Sequence, residues 1–327
     1  MRILVTGGAG YVGSHCVRRL VAAGHDVVVL DDLSSGHRAA LPEGVELIRC
    51  NLAETADLSG ALDTGVDAVM HFAAFLDVGE SVRSPLKYYD NNISNTIALL
   101  RLMSERGIAR FVFSSTCATY GVPDKLPITE DTPQQPINPY GRTKLAMEWA
   151  LRDSAEAWGL GACALRYFNA AGASGDATIG EDHDPEIHLI PLVMRVALGQ
   201  RDSISIFGTD YPTNDGTCVR DYIHVEDLAE AHLLALEAIK PGRFEAFNVG
   251  TGTGTSVKAL IHAARRVTGH PIPATIAPRR PGDPPTLVAD PERIKSTLGW
   301  TPRFTSIEPT LETAWRWHRA HPHGFTG

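Results

Sequence analysis

Positive charge is in short supply: 30 Lys and Arg stand against 38 Asp and Glu, for a formal net charge of −8. No basic run offsets that balance, which argues against a nonspecific nucleic-acid binder. A few placed arginines could still hold an anionic small ligand. Paired cysteines are also missing. The five present (Cys16, Cys50, Cys117, Cys163, Cys218) are odd in number, scattered and without metal-ligand spacing. They read as buried thiols in a reducing compartment. No apolar run reaches the roughly 20 residues that span a bilayer. Strand-like sequence begins at Arg2, leaving no room for a secretory signal. Internal repeats and low-complexity tracts are lacking as well. These absences together lead us to expect a cytoplasmic protein. At 327 residues and 43% hydrophobic, the chain can form one large α/β unit or two modest domains, either with a full core.

Present instead are short β-branched runs alternating with helical patterns. Ile3–Thr6, Val27–Leu30, Leu47–Arg49, Ala68–His71, Arg110–Ser114 and Ala162–Tyr167 read as buried strands. Helical patterns lie near Gly13–Ala23, Pro85–Arg106 and Tyr140–Trp158. Such alternation predicts βαβ units and a Rossmann-type, doubly wound parallel sheet. After about Asn169, glycine, proline and polar residues dominate, with short elements such as Leu189–Leu198 and Val257–Thr268 between them. The pattern predicts a first domain over 1–170 and a smaller α/β domain over 171–327. The boundary is interleaved, because the helix and strand read within about 225–250 return to the first domain.

Gly7, Gly10 and Gly13 follow the first strand and open the first helix. The first two let the backbone turn and approach a pyrophosphate; the third lets the helix pack against the sheet. Their spacing is GxxGxxG rather than GxGxxG. Asp31 ends the next strand, where a carboxylate accepts bonds from the adenosine ribose hydroxyls and repels a 2′-phosphate. Asp32 stands beside it and no arginine follows until Arg38, so NAD is favoured over NADP.

Ser114-Ser115-Thr116 and, further on, Tyr140-Gly-Arg-Thr-Lys144 supply a hydroxyl, a phenol and an ammonium. A phenol with a pKa of about 10 is a poor base at neutral pH. A lysine four residues along the same helical face can stabilise the phenolate. Tyr140 can then take the proton of an alcohol whose carbon gives up hydride. Thr116, at the carboxyl edge of the sheet, can bond the reacting oxygen and relay the proton. Cys117, Ala118 and Thr119 offer no carboxylate. A sugar dehydratase needs an acid and a base at this edge, so their absence favours oxidation followed by return of the hydride.

These elements together resemble the extended short-chain dehydrogenase/reductase family, and within it the members that invert C4 of UDP-hexoses. The likeness runs from Val5-Thr-Gly-Gly-Ala-Gly-Tyr-Val-Gly-Ser-His15 to Trp315-Arg-Trp-His318. Its most specific blocks are His71-Phe-Ala-Ala74, Val78-Gly-Glu-Ser-Val82, Tyr88-Tyr-Asp-Asn-Asn92, Leu165-Arg-Tyr-Phe-Asn169 and the run from Phe207 to Val225. The resemblance implies a tightly held NAD, a UDP-glucose or UDP-galactose substrate, a transient 4-keto sugar and a homodimer. It implies NAD contacts at Tyr11, Val12, Asp31, Asp32, Leu33, Ser34, Ser35, Gly36, Asn51, Leu52, Phe72, Ala73, Ala74, Leu76, Asn91, Tyr140, Lys144 and Phe168. UDP-sugar contacts are implied at Thr116, Tyr140, Asn169, His188, Leu189, Ser205, Ile206, Phe207, Arg220, Tyr222, Arg280, Asp283 and Leu287, with both arginines on the pyrophosphate.

Four positions depart from the family pattern. Asn51 stands for a frequent acid, Leu76 for a lysine and His188 for an asparagine. Leu287 stands where sugar-restrictive members carry tyrosine, which leaves room for a 2-acetamido group and turnover of UDP-N-acetylglucosamine; a UDP-pentose substrate also stays open. A silent NAD-sensing scaffold is the remote alternative, disfavoured by the intact Thr116, Tyr140 and Lys144. The lone His15, His224 and His232 lack partnered ligands, so they read as structural and no metal is expected.

Overall fold

A computed structural model describes residues 1–280 and 283–325. Pro281 and Gly282 of the Pro-Arg-Arg-Pro-Gly-Asp run, and 326–327 at the end of the second expected domain, lie outside the described residues.

Thirteen strands are described: β1 (Arg2–Thr6), β2 (Asp26–Asp31), β3 (Glu46–Arg49), β4 (Ala68–His71), β5 (Arg110–Thr116), β6 (Gly161–Tyr167), β7 (Asn169–Ala171), β8 (Ile204–Phe207), β9 (Val219–His224), β10 (Phe244–Val249), β11 (Gly254–Ser256), β12 (Ala274–Ala277) and β13 (Thr286–Leu287). Seven of them form one sheet in the order β10-β6-β5-β4-β1-β2-β3, every pair parallel. Both faces are covered. Ile3 and Val5 of β1 enter one apolar cluster with Val17, Leu20 and Leu228, from the helices Tyr11–Ala22 and Val225–Ala238. Leu4, between them, points the other way, into a cluster with Leu58, Leu99, Met103 and Leu151. Burial on both faces is why these strands read as continuous apolar runs rather than alternating ones. The strand order reverses at β1, so a crevice opens beyond the carboxyl ends of β1 and β4.

The remaining strands build two small sheets. β9 pairs with β7, β11 and β13, while β8 pairs with β12. The helices Leu189–Ala197, Val257–Thr268 and Ile307–Ala320 share an apolar cluster around Val193, Met194, Leu260 and Leu311. The fold is α/β: a Rossmann-type doubly wound parallel sheet with a smaller α/β portion.

Two elements differ from the sequence reading. The strand expected over Arg110–Ser114 continues to Thr116, which makes Thr116 its last residue. The helix expected over Pro85–Arg106 is interrupted by a π-helical stretch at Asp90–Ser94. That wider turn buries Asn92, whose amide accepts from Phe75 N (2.9 Å) and donates to Phe75 O (3.1 Å) and Thr143 Oγ1 (3.2 Å). Satisfying a loop backbone from inside a helix favours such a bulge, and bulges of this kind often stand at functional sites. Among the described residues, no helix is long and apolar enough to cross a membrane.

Candidate active site

At the crevice, Gly7 follows β1 with a φ of 69°. A Cβ on it would sit 2.5 Å from Ala73 N, and one on Gly13 would sit 2.2 Å from Gly7 O. Neither position tolerates a side chain. Gly10 caps the helix Tyr11–Ala22 without a side-chain bond, leaving the first-turn amides and the positive helix end for an anion. The carboxylate of Asp31 accepts from Ala9 N and from Leu33 N, each at 2.9 Å. Burial raises its pKa, and those two amides oppose the rise. Both oxygens are therefore already oriented, and each keeps a further lone pair for a ribose hydroxyl. Asn51 donates to Asp32 Oδ2 (2.6 Å) and accepts from Ala53 N (3.0 Å). These bonds fix its orientation and leave one amide N–H and one lone pair toward the cavity that Asn51 lines.

Tyr140 stands in the first turn of the helix Pro139–Trp158. Asn138 Oδ1 caps that turn by accepting from Gly141 N (2.8 Å), and Pro139 begins it. A Cβ on Gly141 would meet Ala118 O at 2.6 Å, so the glycine lets the helix end rest on the turn that follows Thr116. This contact brings Tyr140 and Thr116 to the same edge of one cavity. Burial pushes the Tyr140 phenol well above its usual value; nearby Tyr167 adds to the rise and Thr116 opposes it. Lys144, one turn on, is buried, and its Nζ donates to Ser114 O (2.8 Å) from 4.8 Å over the Phe113 ring. Burial draws its pKa down to about 7 against the pull of Glu148. With the chain's own groups alone, the phenol stays protonated at neutral pH. A cation arriving beside it is what would make it a base. Behind β5 the site rests on a buried ion pair, Arg166 with Glu148 (2.6 Å), to which Ser115, Tyr120 and Gln134 are hydrogen-bonded.

The opposite wall comes from the small sheets. The β7/β9 register sets Asn169 against Tyr222, and the β13/β9 register sets Leu287 against Arg220. Leu287 packs on a cluster of Cys117, Tyr120, Ile128, Phe168 and Ala289. On β8, Ser205 and Phe207 line the opening while Ile206 packs into the apolar cluster beneath. The Arg280 guanidinium lies 4.0 Å over the Phe207 ring. Arg220 Nη1 donates to Val219 O and Pro284 O (2.9 Å each), and Nη2 reaches Asp283 at 3.3 Å.

Both walls enclose one cavity of about 1150 Å³, running from Asp31 and Asn51 to Arg280 and Asp283. Every site residue read from the sequence lines it except Leu33, Lys144 and Ile206. Among further lining residues, Ser114 hydrogen-bonds the Tyr167 hydroxyl (2.7 Å), and Glu181, His183 and Glu186 stand beside His188. The sequence carries Glu-x-His-x-x-Glu-x-His there, on a loop without helical or strand period. The lone histidines are structural. His15 and His232 each bond a backbone carbonyl one helical turn back, and His224 stacks on Phe304 at 3.6 Å while bonding Thr313.

Residues 3–250 match the NAD dependent epimerase/dehydratase family. The chain belongs to that family. It is 53% identical to the UDP-glucose 4-epimerase of Halalkalibacterium halodurans, over 100% of this chain and 98% of that protein. A crystal structure of a UDP-glucose 4-epimerase superposes with a TM-score of 0.96 at 48% identity, covering 100% of each chain. That of Bifidobacterium longum, in complex with NAD+ and UDP, gives 0.95 at 37% identity, over 99% of this chain and 100% of that one. For an NAD dependent epimerase/dehydratase, an uncapped helix end beside a pre-oriented carboxylate fits a dinucleotide.

Proposed function

We propose that this chain inverts C4 of a UDP-hexose, interconverting UDP-glucose and UDP-galactose with NAD as resident cofactor. One observation carries this reading: the Thr116–Tyr140 pair stands in a single cavity between the glycine turn and the wall bearing Ser205, Phe207, Arg220 and Arg280. NAD+, when bound, supplies a reversible hydride acceptor and a positive ring. The turn Gly7–Gly13 and Asp31 hold it. Tyr140 takes the proton of the C4 hydroxyl and later returns one to the 4-keto sugar, while Thr116 holds that oxygen. Lys144 acts from behind the cavity wall, through its bond to the Ser114 carbonyl and, when protonated, its positive charge. Arg220 and Arg280 grip the pyrophosphate, so the sugar itself can be held loosely and present either face. Binding energy placed on the UDP rather than on the sugar is what such a reaction requires.

The test is incubation of purified protein with UDP-galactose and no added reductant. UDP-glucose formed without net NADH supports the reading; net NADH or no product overturns it. Because Gly141 sets how close the helix end lies to Ala118, Gly141→Ala shifts Tyr140 and should cut kcat ~100-fold. Circular dichroism of that variant should stay unchanged. Kinetics within a few-fold of the parent would disprove this positioning role.

Leu287 favours a second substrate. Its side chain lacks the ring that would crowd a 2-acetamido group, so UDP-N-acetylglucosamine also turns over. Leu287→Tyr should lower turnover of the acetamido sugar ~10-fold or more relative to UDP-glucose. An unchanged ratio would show that Leu287 does not set this choice.

Residues 1–170 with about 225–250 carry the NAD side, and the rest of 171–327 carries the UDP-sugar side. β10 supports this division by pairing with β6 inside the large sheet. The chain works in the cytoplasm as a homodimer built on the helices after Pro85 and Pro139. Leu86 and Trp149 on them are 75% and 55% exposed.

A further inference from the structure

Four side chains in the segment between β7 and the helix Leu189–Ala197 converge into one cluster, of which only His188 is an implied substrate contact. One ligand atom each from Glu181, His183, Glu186 and His188 lies within 4.8 Å of all the others. His183 Nδ1 is 3.4 Å from Glu181 Oε1 and 3.7 Å from Glu186 Oε2. His188 Nδ1 is 2.8 Å from Glu181 Oε1 and 3.2 Å from Glu186 Oε1. For zinc–ligand bonds of 2.0–2.1 Å, the edge of a coordination tetrahedron is about 3.3 Å. The four separations bracket that value.

A second observation points the same way. His183 Nδ1 and Glu186 Oε2 are both buried without a hydrogen-bond partner, and the Glu186 side chain is 0% exposed. Buried polar atoms in native proteins almost always find a partner, and these two aim into the cluster. The other oxygen of Glu186 is fixed by the Ile187 and His188 amides, at 2.8 Å each. Two carboxylates and two neutral imidazoles around a divalent ion also leave the buried set uncharged, so the ion removes the cost of an unpaired charge.

We propose that Glu181, His183, Glu186 and His188 bind one divalent transition-metal ion, zinc by donor set and geometry. The ion is structural. The ring of Tyr11, in the glycine turn, meets His183 edge-on at 6.3 Å, and its hydroxyl donates to Gly172 O (2.7 Å). A metal here fastens the segment from Gly172 to His188 over that turn. With Nδ1 of His188 turned to the ion, only its Nε2 remains for a substrate.

The test reads metal rather than turnover, so it stands apart from the assigned reaction. The full-length protein is treated with EDTA, dialysed, and returned to ZnCl2 or CoCl2. Zinc is measured by mass spectrometry, cobalt by its visible bands, and stability by thermal melting. His183→Ala and Glu186→Gln are carried alongside, with circular dichroism as the check on folding. The expected result is one zinc per chain, four-coordinate cobalt bands and a lower Tm after EDTA. Each variant should bind at least ~100-fold more weakly. No zinc in the parent protein overturns the proposal and leaves two shared protons as the cluster's occupants. Zinc retained equally by both variants also overturns it, placing the ion elsewhere. If neither variant folds, the parent's stoichiometry and cobalt spectrum decide alone.

Discussion

Tyr140→Phe should lower kcat for UDP-galactose ~1000-fold while leaving bound NAD and Tm unchanged. Phenylalanine keeps the ring that packs at the end of the helix and removes only the oxygen that exchanges a proton with the C4 hydroxyl. General acid–base catalysis by one positioned group contributes roughly 10²–10⁴-fold. Here the half-buried phenol lines the cavity beside Thr116, with no carboxylate among Cys117, Ala118 and Thr119 to replace it. Steady-state rates, with NAD content read by absorbance after denaturation, give the comparison. A variant within tenfold of the parent would mean that another group moves the proton.

The second large effect is a loss of stability in mild acid. Burial lowers the pKa of His15 and His232 to about 4, and of His71 and His224 to about 3, with Lys144 contributing at His71. Nε2 of His15 and of His232 faces no acceptor, so a proton there would be buried and unpartnered. An unfolded histidine titrates near 6.5. As pH falls through 6.5, the unfolded chain takes up protons that the folded chain refuses until about pH 4. Stability is therefore complete above 6.5 and declines through that window, by up to ~1.4 kcal/mol per pH unit for each histidine. Between pH 7.5 and 5.0, the four histidines together should cost up to roughly 8 kcal/mol, read by urea unfolding. His232→Gln should reduce the slope by about one proton. Carboxylates held below their usual range, such as Asp176, where burial is outweighed by Arg18, Ser174 and Thr178, act only in stronger acid. A urea midpoint equal at the two pH values would refute this account.

Much of the fold was legible because a sheet buried on both faces leaves apolar runs in the sequence, and a glycine turn between strand and helix allows few other structures. The π-helical stretch was not legible, since it depends on Asn92 meeting Phe75 across a loop. The site was legible where chemistry fixes spacing, as with Tyr140 and Lys144 on one helical face. Spacing alone could not reveal that Lys144 turns its ammonium to the Ser114 carbonyl, nor that Asn51 is tied to Asp32. Ile206 shows the same limit. Its strand alternates, so it packs into the core while Ser205 and Phe207 line the cavity. The Glu181–His188 cluster escaped because its members meet through a loop, and loops carry no period.

The central claim is that one hydrogen leaves C4 and returns to C4 on the opposite face. UDP-galactose deuterated at C4, incubated with the purified protein in ordinary water, tests it most directly. The account predicts UDP-glucose that keeps its deuterium at C4, read by proton NMR. Replacement of that deuterium by solvent hydrogen would contradict it.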